Sequence, residues 1–128
     1  MTPITVRTTI NLPDKVSNLE VAMIVGFANF SSGIISVKPK GGTLTTLFPK
    51  VDADTHYQLG PAAELISKDI RMILTGSVGD PKGAVKGSFH VKCDFFQKGK
   101  PAGSSDPVKG KYGEGEARQD FNIICSFT

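Results

Sequence analysis

Hydrophobic and polar residues alternate with a period of two over most of this chain. The alternation is sharpest in GSFHVKCDFF, where Phe89, Val91, Cys93 and Phe95 fall on one side and Ser88, His90, Lys92 and Asp94 on the other. In an extended strand successive side chains point to opposite faces, so such a run buries one row and hydrates the other. DFNIICSFT, at the end of the sequence, repeats the pattern: Phe121, Ile123, Cys125 and Phe127 stand against Asn122, Ile124 and Ser126. Each apolar row carries one cysteine among aromatic and β-branched residues. Strands over 86–96 and 119–127 are therefore expected to be central and to share one core.

Other stretches give strand signals with more punctuation. ITVRTTINL alternates Ile4, Val6, Thr8 and Ile10 with Thr5, Arg7, Thr9 and Asn11, and Pro13 with Asp14 ends it. EVAMIVGFANF is the most apolar run; a helix competes with a strand there, and Gly26 marks a bulge or bend. IISVKPK and TLTTLF flank Gly41-Gly42 and read as a hairpin, with Pro49 expected to stop the second strand. PAAELISKD holds one helical turn, since Pro61 suits a first turn and Glu64 and Lys68 are spaced i,i+4. DIRMILTGSVGD returns to alternation, and Asp80-Pro81-Lys82-Gly83 supplies a turn.

Gln97 to Arg118 is rich in Gly, Pro and Lys, too long for an ordinary connection, and expected to hold one short strand near Val108–Tyr112. The sum is eight or nine strands in one all-β domain spanning 1–128, an antiparallel β-sandwich or a small β-barrel, with 97–118 as a long loop region. No constant-period repeat points to a propeller or solenoid.

Composition narrows the classes. With 39% hydrophobic and 21% charged residues among 128, the chain has enough apolar material for one core and none of the bias of a disordered segment. No apolar run reaches transmembrane length, and MTPITVRTTINLPDK lacks the continuous apolar segment of a secretory signal, so a soluble, cytoplasmic protein is the default expectation. A net charge of +3 is modest, and nucleic acid is not the expected partner. Lysines cluster at 38 and 40 and again at 98, 100, 109 and 111, but Glu114 and Glu116 weaken the second group.

The two cysteines admit two readings. Placed opposite one another, Cys93 and Cys125 could form a disulfide, which would imply export to an oxidising compartment. As buried reduced thiols they would act as small hydrophobes in step with Phe. A nucleophilic role fits neither, because it needs a base in a partly open site.

Candidate chemistry concentrates in DADTH. On a strand, Asp52, Asp54 and His56 share one face, a donor set for a divalent metal although the i,i+2 spacing of roughly 6 to 7 Å is wide for one ion. No cofactor is otherwise implied. An enzyme reading would join His90, as general base, to Asp94, His56 or Tyr57 across a cavity. Phosphate-loop, GxSxG and HExxH patterns are absent from the sequence.

The expectation is a non-enzymatic binding or structural domain that pairs with a protein partner or forms a homo-oligomer. Phe30, Phe48, Phe96, Ile73 and Ile124 fall on or near the faces opposite the core rows, so a second packed surface is required. The alternative is a barrel that binds an apolar small molecule, as a carrier or a cyclase- or isomerase-like enzyme.

Overall fold

The computed structural model describes residues 2–27, 29–80, 87–113 and 116–128. Its elements run β1 (Ile4–Ile10), β2 (Asn18–Val25), β3 (Phe30–Lys38), β4 (Thr45–Asp52), β5 (His56–Pro61), α1 (Ala62–Ser67), β6 (Arg71–Gly79), β7 (Ser88–Gln97), β8 (Lys100–Ser104), β9 (Val108–Lys111) and β10 (Arg118–Phe127). Pro81, Lys82 and Gly83 of the expected turn, and Glu114, lie outside the described residues.

Among the described residues ten strands form two sheets. The first has the order β1-β10-β6-β3-β4; the second has β5-β2-β7-β8, with β9 also pairing β7. Among the described residues every pairing of two strands is antiparallel except β1 with β10, which run parallel from Ile4↔Phe121 to Ile10↔Phe127. The sheets are layers with separate edges, so the architecture is sandwich-like, and the closure a barrel requires is not among the pairings.

Both alternating rows do what their pattern implies. Phe89, Val91, Cys93 and Phe95 of β7 and Phe121, Ile123, Cys125 and Phe127 of β10 are all buried in one cluster with Leu19, Val21 and Leu74. They belong to opposite sheets and meet across the interior, where the Phe95 and Phe127 rings pack edge-to-face at 5.4 Å. The helical turn also forms, with Pro61 at its N-cap, Ala62 and Leu65 buried, and Glu64 and Lys68 3.8 Å apart on its exposed side.

Three expectations change. The strand count is ten rather than eight or nine, because 97–118 contains β8 as well as β9. KPAGS has no alternation to reveal it; β8 exists because Lys98 (φ 52°) and Gly99 (φ 72°) both take the positive φ of a type I′ turn and fold the chain back onto β7. Pro49 does not stop β4. That strand is the sheet edge, where a missing backbone N–H removes no ladder bond, and its register with β3 shifts on either side of Ile35. The third change concerns Val51 to Leu59, which is not one strand.

The two thiols are free and buried. Burial raises both, Cys93 well above its ordinary value and Cys125 up to about 12. Each therefore keeps its proton in the folded state at pH values where an unfolded thiol, near 9, would lose it. Stability is fully present below pH 9 and falls as pH rises toward the folded value, by about 1.4 kcal/mol per unit and per thiol. Urea unfolding of the native chain and of Cys125→Ala between pH 8 and 10 is expected to show a steeper alkaline loss for the native chain; parallel curves would contradict it.

Candidate functional site

The chain leaves one sheet and enters the other within DADTH. Asp52 is the last residue of β4 in the first sheet, and His56 is the first of β5 in the second. Between them Ala53 bridges Met23, the Asp54 N–H donates to the Met23 carbonyl at 2.9 Å, and Asp54 takes φ 63°. Aspartate is among the few residues that visit this left-handed region readily, which is why the corner can turn here. The period-two reading that put Asp52, Asp54 and His56 on one face needs an unbroken strand, and the corner removes it. Among the described residues no three His, Cys, Asp or Glu side chains are grouped to hold a metal ion.

Tyr57 is separated from the imidazoles as well. It sits on the side of β5 opposite His56, accepts the Asp52 N–H on its hydroxyl at 2.8 Å, and packs its ring against Phe48 at 4.9 Å. These contacts seal the side of the sandwich beneath the corner.

His56, His90 and Asp94 do share the outward face of the second sheet, but they are held apart. Ala22 of β2 is paired with His56 on one side and Asp94 on the other, so two strand spacings, roughly 9 to 10 Å, separate them. His56 lies 3.3 Å from Glu20 through Nδ1 and stacks on Phe96 at 4.4 Å. Ala22, on the same face as this stack, is only 1% exposed. Asp94 pairs with Lys92 at 3.1 Å and accepts the Ser104 hydroxyl at 2.7 Å. His90 lies farther along β7, edge-on to Phe27 at 6.4 Å. Each group has its own local partners, an arrangement of surface ladder pairs rather than a nucleophile, base and orienting group in hydrogen-bond sequence.

The outward face of the first sheet is different in kind. A polar ladder crosses it, Thr75 donating to Asn122 at 3.0 Å and Asn122 to Thr5 at 3.5 Å. Beside the ladder, apolar side chains stand in solvent. Six large hydrophobic residues are exposed among those described, and four of them, Phe30, Ile34, Leu44 and Leu47, lie on β3, β4 or the hairpin joining them. Ile73 and Ile124, which the sequence left without a partner, are half-buried on neighbouring strands β6 and β10. Of the residues that need a second packed surface, Phe48 and Phe96 find ring partners among the described residues. Sequence reasoning selected Phe30 but missed Ile34, Leu44 and Leu47; the period-two pattern of β3, continued from Ile35, would have placed Ile34 outward.

Among the described residues no helix is long and apolar enough to cross a membrane. No family model, no curated protein and no solved structure matches the chain.

Proposed function

We propose that this chain is a non-enzymatic binding domain that associates with a second copy of itself through the outward side of the β3–β4 ribbon. The observation that carries the reading is the concentration of exposed apolar residues there: Phe30 is 60% exposed and Ile34 42%, on the strand next to the sheet edge. Clustered apolar surface of this kind marks a protein-facing patch, whereas isolated exposed residues need no explanation. A two-fold contact presents the same patch from both copies, so an apolar ribbon is automatically complementary to itself. Contact through the face is favoured over strand addition at the edge, because Pro49 and the shifted register of β4 spoil a regular ladder.

The separation of His56, Tyr57, His90 and Asp94 supports a role without catalysis. A carrier or cyclase-like barrel has less support, since the inward rows of the two sheets pack on each other.

Multi-angle light scattering over about 5 to 200 µM protein is expected to show a concentration-dependent dimer. Ile34→Lys with Leu47→Lys should leave a monomer with an unchanged melting temperature. A native chain that stays monomeric throughout would overturn the proposal, and a monomer that also binds an apolar dye would favour the carrier.

A further inference from the structure

The ion pairs among the described residues use Lys68, Lys92, Lys98, Arg118 and His56. Nine described Lys and Arg side chains make no ion pair among the described residues; Lys15, Lys50, Lys100, Lys109 and Lys111 lie elsewhere, whereas Arg7, Lys38, Lys40 and Arg71 gather toward one end of the first sheet.

The pairing of strands explains their convergence. Lys38 of β3 and Arg71 of β6 are direct cross-strand partners, and Arg7 of β1 is paired with Ile124 of β10, which is paired in turn with Ile73 of β6. Like charges directly opposite one another repel and are normally avoided, so the Lys38–Arg71 pair is a cost to the isolated fold that an anion would relieve. Two adjoining surface hollows result. One is lined by Lys38, Pro39, Lys40, Gly41 and Arg71, the other by Arg7, Thr8, Thr9, Arg71, Ile124 and Ser126. Arg71 belongs to both, and the Thr9 and Ser126 hydroxyls add neutral donors to the second.

We propose that these two hollows form a binding tract for the phosphodiester backbone of nucleic acid, with Arg71 between successive phosphates. Arginine and lysine beside serine and threonine hydroxyls is the donor set that takes phosphate oxygens. No aromatic ring lines either hollow, so bases have no stacking platform and the chain is gripped without regard to sequence. An anionic membrane is disfavoured by the same lining, because none of the exposed large hydrophobic side chains that could anchor in lipid lies in it. The lysines that cluster in sequence at 109 and 111 take no part; they lie on β9 in the second sheet, near Phe27 and His90.

The test is fluorescence anisotropy of the native chain with a labelled oligothymidylate of about 12 nucleotides and its fully abasic counterpart. Both should bind equally, with three or four phosphate contacts giving a slope of about −2 to −3 in log affinity against log salt. Arg71→Ala should weaken binding about tenfold and flatten the slope by about 0.7, and Lys38→Ala with Lys40→Ala, which removes two cations, should flatten it by about 1.4. Arg71→Lys should retain the slope. Lys109→Ala with Lys111→Ala should change affinity less than twofold, roughly the level of a remote charge. All five substituted side chains are exposed, so folding is preserved, and thermal melts check it. Absence of binding at low salt would overturn the proposal. So would equal losses from the Lys109/Lys111 variant, a strong preference for bases over the abasic chain, or capture of phosphatidylserine vesicles with no affinity for either oligonucleotide.

Discussion

Phe95→Ala is expected to lower unfolding free energy by about 3 to 5 kcal/mol, the usual range for emptying a buried aromatic site. Phe95 is fully buried in the middle strand of the second sheet and is the ring that reaches Phe127 of the first. Removing it deletes apolar burial, leaves a cavity between the layers and strips Phe127 of its edge-to-face neighbour. Denaturant unfolding should show a lower midpoint with an unchanged slope. The double variant with Phe127→Ala should reveal a coupling of about 0.5 to 1.5 kcal/mol beyond the two single losses. A loss under about 1 kcal/mol for Phe95→Ala would mean that the rows of β7 and β10 do not build one core. Phe96→Ala, next in sequence but outward, should cost much less, because its ring only leans on half-exposed His56.

Gly76→Val should be at least as damaging, for the opposite reason. Gly76 pairs with Gly33 on one side and Phe121 on the other. A Cβ there would collide with the Ser32 carbonyl oxygen and stand 3.0 Å from the Gly33 Cα and 3.1 Å from the Phe121 ring. Two of those three obstacles are backbone, which cannot swing aside as a side chain tip can. The paired glycines make room for the Phe121 ring, a device by which an aromatic residue covers a bare stretch of sheet. Overpacking costs about 1 to 3 kcal/mol per site and more where backbone must move, a large part of the total stability of a domain this size. Gly76→Val is expected to accumulate as insoluble or unfolded chain at 37 °C. Gly87→Ala, whose added Cβ would meet nothing closer than 3.4 Å, is expected to be nearly neutral. Equal stability of Gly76→Val and the native chain would show that Gly33 and Gly76 are not in register.

The outward face of the first sheet carries both proposed surfaces, the apolar ribbon on β3–β4 and the cationic hollows reaching across to β1. Each surface can fail alone, because light scattering and anisotropy read them separately.

How much of this was legible in advance depended on the range of the interaction. Alternation in β1, β6, β7 and β10 could be read because burial of one sheet face imposes its period on the sequence regardless of what lies opposite. Helix α1 and the β3–β4 hairpin could be read because Pro61 and Gly41 act within a few residues, although Gly41 alone of the glycine pair takes positive φ and the connection spans 39–44 rather than two residues. Strand β8 could not, since KPAGS owes its conformation to the β7 it folds onto. DADTH misled because nothing local announces that the chain changes sheets at Asp54; the corner follows from where β4 ends against β3 and β5 must begin beside β2.

Local chemistry thus determined that this chain forms pleated strands, which rows turn inward, and that both cysteines lie among those rows. Tertiary structure alone decided that the two best rows belong to opposing layers and that Asp52 and His56 part company. It also decided that Arg7, Lys38 and Arg71, distant along the chain, stand together with no ion-pair partner among the described residues. The physical reason is that a side chain's face is set by its own backbone, whereas its neighbours across a sheet are set by strand order, and many strand orders satisfy the same alternation.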